Sequence, residues 1–153
     1  MQLEIPLNIV QAALKVARES DVITILDPAP AQRLKPELLG RVDIIRPNSG
    51  EAQVLTRIEC RNRSTARRAA EQLLRNGVRS AMPHIPVPTI DATGAGDAFL
   101  GTLAAQLASG NDLATASSFA NAASALATTK LGAQASLPTY DEVLSLLRKQ
   151  KAA

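Results

Sequence analysis

Thr93-Gly94-Ala95-Gly96-Asp97 is the stretch of this 153-residue chain whose residue types and spacing could do chemistry. It lies within Ile90 to Phe99, after a Pro-studded apolar run at Ile85–Val87. Phe99, Leu100, Leu103 and Leu107 then recur at helical spacing. Small residues where a loop becomes a helix let the N–H groups of Gly94, Ala95 and Gly96 approach an anion, and the helix dipole adds partial positive charge there. A carboxylate at Asp97 then stands beside whatever anion binds. Bare donors for a phosphate, with one acid group to take a hydroxyl proton, suit phosphoryl transfer. The plain alternative is a Gly-rich turn whose Asp97 merely complements the dipole. That alternative is the weaker one, because Asp91, Thr93, two glycines and Asp97 fall together directly before a helix.

Other elements must position this stretch. Pro6 to Glu19 carries Ile9, Val10, Ala13, Leu14 and Ala17 on one helical face. Val22–Leu26 and Val42–Ile45 are nearly continuous apolar runs, as expected of strands buried on both sides. Asp27-Pro28-Ala29-Pro30 breaks the first run and Pro47-Asn48 the second. A short helix is predicted around Pro36–Leu39 and another over Ser49–Thr56. A further helix runs to Arg75, with Ser64 as its N-cap, Leu73 and Leu74 inward and Asn76-Gly77 as its stop. After the central motif come a helix to Ser109, a Gly110-Asn111 stop and a second helix capped by Asp112. Pro138-Thr139 leads into a last amphipathic helix with Val143, Leu144 and Leu147. Helix and strand alternating through short loops predict an α/β fold with a largely parallel sheet, read as one domain over 1–153.

Composition narrows the function classes. Hydrophobic content of 46% and charged content of 20% are ordinary for a globular protein, whereas 2% aromatic residues leave little for stacking bases. The net charge of +3 concentrates at Arg57, Arg61, Arg63, Arg67 and Arg68; with no interleaved aromatics, that run reads as a solvated face, and nucleic acid is not the expected partner. The lone Cys60 excludes an internal disulfide and fits a reducing cytosol, so the expected location is cytoplasmic. His84, between prolines, reads as a surface or strand-edge residue, not a metal ligand. No secretory signal is evident. Ala98–Asn111 is too short for a membrane span, and Leu113–Thr129 is rich in Ser, Thr and Asn.

The central stretch resembles the anion-hole signature D-[TA]-T-G-A-G-D-x-F of the ribokinase-like (PfkB) carbohydrate kinases. Met1–Glu4, Asp27–Ala31, Val42–Asn48 and Lys130–Gln134 are similar to consecutive blocks of ribokinases, in the family's order. The resemblance implies the C-terminal half of such a kinase, with a three-layer α/β/α arrangement. It implies Asp97 as catalytic base and Gly94, Ala95 and Gly96 as the anion hole for the transferring phosphoryl group. Asn48 and Glu51, an N-x-x-E spacing at a strand's carboxyl end, would serve Mg²⁺ and the nucleotide phosphates. On spacing alone the pair reads better as a helix cap, and within the matched block as the site. Asn121 would lie beside the adenine of ATP. Asp91, Thr93, Ala127, Lys130, Gly132 and Ser136 match positions enclosing a monovalent cation, K⁺, many through backbone carbonyls; Asp91 could also cap its own turn.

Two departures from the family pattern stand out. The N-terminal half, with most sugar contacts and the lid, is expected to be absent. After Gly77-Val78-Arg79-Ser80, Ala81-Met82-Pro83 leads almost directly toward Asp91, so one strand, its glycine turn and the next strand are expected to be missing from the sheet. Unpaired edges invite association, either as a homodimer or with a complementing N-terminal half. The expected function is an ATP-dependent sugar kinase fragment, with ribose as the closest family substrate. The alternatives are a non-catalytic nucleotide-binding or interaction module and one half of a split kinase.

Overall fold

The computed structural model describes residues 1–82 and 90–152, and the expectations for His84 and for Ile85–Val87 lie outside the described residues. The chain divides into two compact units, Met1–Val87 and Pro88–Ala153.

In the first unit a parallel sheet is flanked by helices. The helices are α1 (Leu7–Glu19), α2 (Pro36–Leu39), α3 (Ser49–Thr56) and α4 (Arg63–Arg75). The strands are β1 (Ile25–Leu26), β2 (Ile44–Ile45) and β3 (Ser80–Ala81), in the order β1-β2-β3 with β1 and β3 outermost. Leu26 pairs with Ile45, and Ile45 with Ala81. The predicted strands keep only their last two residues. Val22 and Ile23 are exposed after a turn in which Asp21 has φ 53°, and Thr24 spends its N–H on the Asp43 carboxylate (2.8 Å).

Leu3, Val10, Leu14, Leu26, Leu38, Leu39, Val42, Ile45, Leu73 and Val78 form the core of this unit. The buried face of α1 centres on Val10 and Leu14, and Ile9, predicted inward, is half exposed; so is Leu74 on α4. At the amino ends of the strands, Arg18 donates to the Gly40 carbonyl (2.8 Å) and Arg79 pairs with Asp43 (3.2 Å). Arg18 lies in the last turn of α1 and Gly40 closes α2, so the Arg18 cation answers the negative ends of two helix dipoles.

Helix α3 has the predicted bounds. Helix α4 starts two residues earlier than predicted, and its N-cap is Asn62, not Ser64. The Asn62 Oδ1 accepts from the Thr65 N–H (3.0 Å) while the Thr65 Oγ1 accepts from the Asn62 N–H (3.1 Å). Asn62 wins because its amide oxygen reaches the third helical N–H, whereas Ser64 already lies inside the first turn. Asn62→Ala is expected to cost about 1 kcal/mol in urea unfolding, and Ser64→Ala much less. Within the arginine run, Arg61 pairs with Glu59 (2.6 Å) and Arg67 with Glu71 (3.2 Å).

The second unit holds α5 (Ala95–Ala108), α6 (Leu113–Ala127) and α7 (Tyr140–Ala152). Asp112 caps α6 by accepting from the Thr115 N–H (2.7 Å), as the sequence predicts. Helices α5 and α6 meet through small residues, with Ala95, Ala98 and Ala127 in one cluster, so their backbones approach closely. Helix α7 begins with a capping box between Thr139 and Glu142. It packs Val143, Leu146 and Leu147 against Phe119, Ala122, Ala123 and Leu126; Leu146 takes the place predicted for Leu144. No described helix is long and apolar enough to cross a membrane.

Candidate active site

At the carboxyl ends of β1 and β2 the chain carries charge directly after apolar strand residues. Asp27 follows Leu26 and Arg46 follows Ile45, and Leu26 and Ile45 are paired neighbours. Glu51 enters from the first turn of α3. All three are buried, at 6%, 8% and 5% exposure. Burial lowers the Arg46 pKa while Asp27 and Glu51 oppose that fall. Burial raises the Glu51 carboxyl pKa; its bond to Asn48 and the Arg46 charge pull the other way, and Asp27 adds to the rise.

The N-x-x-E pair forms a reciprocal cap. Glu51 N–H donates to the Asn48 Oδ1 (2.9 Å). Asn48 N–H and Nδ2 donate to the two Glu51 carboxylate oxygens (2.7 and 2.6 Å). The capping alternative is thus the local structure. It also fixes the carboxylate at a strand-end position. A buried carboxylate whose oxygens already accept two bonds suits hydrated Mg²⁺, held through the ion's own waters. Sequence reasoning gave Asp27 and Arg46 no role, although a charge directly after each apolar run was a usable signal.

In the second unit the glycine turn takes a left-handed backbone conformation. Gly94 has φ +79° and is the N-cap of α5. A Cβ there would lie 3.0 Å from the Ala133 carbonyl oxygen and 3.2 Å from its Cα. Of the three amides assigned to the anion hole, that of Ala95 donates to the Ala92 carbonyl (3.2 Å). The Gly94 and Gly96 N–H groups have no acceptor among the described residues. Asp97, in the first turn, is exposed.

Asp91 ties this turn to the segment after α6. Its Oδ1 accepts from the Thr93 N–H (2.9 Å) and its Oδ2 from the Gly132 N–H (3.1 Å). Bonds from Thr93, side chain first and then backbone, together with Gly132 hold the Asp91 carboxyl below the usual aspartate range. Ser136, fully buried, donates its hydroxyl to the Ala133 carbonyl (3.1 Å) and its N–H to the Gly132 carbonyl (3.2 Å). Asp91, Thr93, Gly132 and Ser136 are thereby linked in one hydrogen-bonded neighbourhood.

Ala127 is buried in the Ala95–Ala98 cluster. Lys130 extends its ammonium to Glu142 (3.0 Å), leaving only its backbone for a cation. Among the described residues no group of three or more His, Cys, Asp or Glu could hold a metal. One carboxylate among carbonyls is a donor set that fits a weakly bound monovalent cation better than a transition metal. Asn121 is exposed midway along α6, with no hydrogen bond to its side chain among the described residues.

Comparison with known proteins places these features in context. Residues 73–140 match the pfkB family carbohydrate kinase model. The chain is 37% identical to a ribokinase of Haemophilus influenzae, covering 96% of this chain and 54% of that protein. It is 36% identical to a ribokinase of Bacillus subtilis, again over 96% and 54%. Among solved structures, Arabidopsis thaliana ribokinase, complexed with ribose and ATP, superposes with a TM-score of 0.84 at 27% identity, covering 96% of this chain and 54% of that one. A Thermotoga maritima ribokinase gives 0.78 at 30% identity, over 96% and 55%. The chain spans about half the length of the curated relatives it matches. The Haemophilus match runs over 166 positions, whereas 96% of this 153-residue chain is about 147 residues. About 19 positions of that match therefore have no counterpart in this chain.

Proposed function

We propose that this chain, a relative of the ribokinase-like (pfkB) carbohydrate kinases that corresponds to their C-terminal half, carries the phosphoryl-transfer machinery of an ATP-dependent sugar kinase acting on ribose or a close analogue. The observation that carries this reading is the turn at Gly94–Gly96. Two N–H groups without acceptors among the described residues open at the start of α5, beside the exposed carboxylate of Asp97. Asp97 takes the proton of the sugar hydroxyl. The hydroxyl oxygen forms its bond to the γ-phosphorus as the bridging bond to ADP breaks. Gly94 and Gly96 donate to the oxygens on which charge develops, with the Ala95 peptide holding the turn. When bound, Mg²⁺ neutralises the nucleotide phosphates; Asn48 and Glu51 would hold its waters, and Asn121 would face the adenine. Asp91, Thr93, Ala127, Lys130, Gly132 and Ser136 would surround K⁺. We assign residues 1–153 to one kinase domain, because each relative aligns over nearly the whole chain. We place the protein in the cytoplasm, in keeping with its single, buried thiol.

Incubation with ATP, Mg²⁺, K⁺ and ribose is expected to yield ribose phosphate and ADP, and Asp97→Asn to lower the rate by about 10²-fold or more. Turnover equal in wild type and Asp97→Asn removes Asp97 as the base. A second reading is favoured by the half-length match: a nucleotide-binding module, working as a homodimer or with a complementing N-terminal half. It predicts a thermal shift with ATP, and no turnover until an N-terminal half is supplied.

A further inference from the structure

A serine inside a helix commonly returns its hydroxyl to the carbonyl four residues earlier. On α6, Ser117 and Ser118 do this, donating to Leu113 and Ala114. Ser124, on the same helix, does not. Its Oγ crosses to α5 and donates to the Ala95 carbonyl at 2.9 Å, in a contact where Ser124 is 9% exposed. The packing of Ala127 against Ala95 and Ala98 brings the two backbones close enough for so short a side chain to span them. The Ala95 carbonyl belongs to the same peptide group as the Gly96 N–H. A donor on the carbonyl oxygen draws charge toward it, makes the N–H at the other end of the peptide a stronger donor, and fixes the plane in which that N–H points.

We propose that Ser124 is a positioning residue for the anion hole: its hydroxyl, bonded to the Ala95 carbonyl, orients and polarises the Ala95–Gly96 peptide so that the Gly96 N–H is aimed and strengthened as a donor to a phosphate oxygen. This rests on the reading of Gly94–Gly96 as the anion hole. Ser124 would touch no substrate and would act only through that peptide.

Nuclear magnetic resonance on the full ¹⁵N-labelled chain tests it with Ser124→Ala, Ser124→Thr and, as a control, Ser118→Ala. Without ligand, the Gly96 amide proton is expected to move upfield in Ser124→Ala, to return in Ser124→Thr, which keeps the hydroxyl, and to stay unchanged in Ser118→Ala. A Gly96 resonance indifferent to Ser124→Ala overturns the proposal. Titration with inorganic phosphate, and then with ATP and Mg²⁺, is expected to shift the Gly94 and Gly96 amides of wild type. Half-saturation should rise roughly three- to tenfold in Ser124→Ala and recover in Ser124→Thr. Equal affinity in wild type and Ser124→Ala also overturns it. A wild-type chain whose Gly94 and Gly96 amides ignore both anions overturns the anion-hole reading, and the positioning role falls with it. The ligand-free spectra then still report whether the Ser124 bond polarises the peptide, so the two failures have different signatures.

Discussion

Arg46→Met is expected to destabilise the chain by about 3 kcal/mol or more in urea unfolding. Arg46 is 8% exposed and lies beside two carboxylates that are equally buried, Asp27 and Glu51, both of which act on its charge. Methionine fills much the same space, so little packing is lost. What remains is two acid groups in a low-dielectric pocket without their cation, and like charges at short range raise each other's pKa. Replacing all three by Met, Asn and Gln should recover most of the loss, because an uncharged cluster has no ion to desolvate.

The pH dependence follows from the direction of the Glu51 shift. Its folded pKa is already above the ordinary value through burial. Such a group contributes stability that is fully present below the unfolded pKa and is lost as pH rises through the folded one. Removing Arg46 raises that folded pKa further. The deficit of Arg46→Met should therefore shrink on acidification toward the ordinary glutamate range and be widest near neutrality. A loss under about 1 kcal/mol at pH 7, or a deficit that grows on acidification, would show that the three charges are not energetically linked.

Gly94→Ala is expected to cost about 3 kcal/mol and to abolish any thermal shift with ATP. Two effects combine. A residue with a Cβ held at φ +79° is strained by roughly 1–2 kcal/mol. The new methyl would also press on the Ala133 carbonyl oxygen at 3.0 Å and Cα at 3.2 Å, which are backbone atoms that cannot rotate aside. Relief requires moving either the turn or the Gly132–Ser136 segment, which Asp91 fastens to that turn through the Gly132 N–H.

Two other glycines separate the contributions. Gly110 has φ +83° with nothing within 4 Å of a Cβ, so Gly110→Ala measures the backbone strain alone. Gly101 lies inside α5 with open space beside it, and Gly101→Ala should stabilise by about 0.5–1 kcal/mol. If Gly94→Ala proves no worse than Gly110→Ala, the contact with Ala133 is not what holds the turn.

What could be read before folding was local. The α3 bounds, the Asp112 cap and the glycine turn ahead of α5 were legible because a cap and its N–H lie three residues apart, and only glycine occupies φ > 0 cheaply. The N-cap of α4 was misplaced by two residues, since Asn62 and Ser64 are both competent caps and the choice depends on where the chain turns. The inward faces of α1 and α7 were found but centred one residue away, as periodicity gives a face and packing selects its middle.

By itself the sequence determined the helices, their stops, the α/β alternation and the residue types gathered at the glycine turn, all of them set by chemistry within a few bonds. Only tertiary structure decided that Val22–Ile23 would leave the ladder, that Asp27, Arg46 and Glu51 would be buried as one cluster, and that Asp91 would reach Gly132 across 41 residues and Ser124 reach Ala95 across 29. Those outcomes depend on which strand and helix ends come to lie side by side. A charge or hydroxyl gains its partner only when a distant backbone arrives, and no spacing along the chain encodes that arrival.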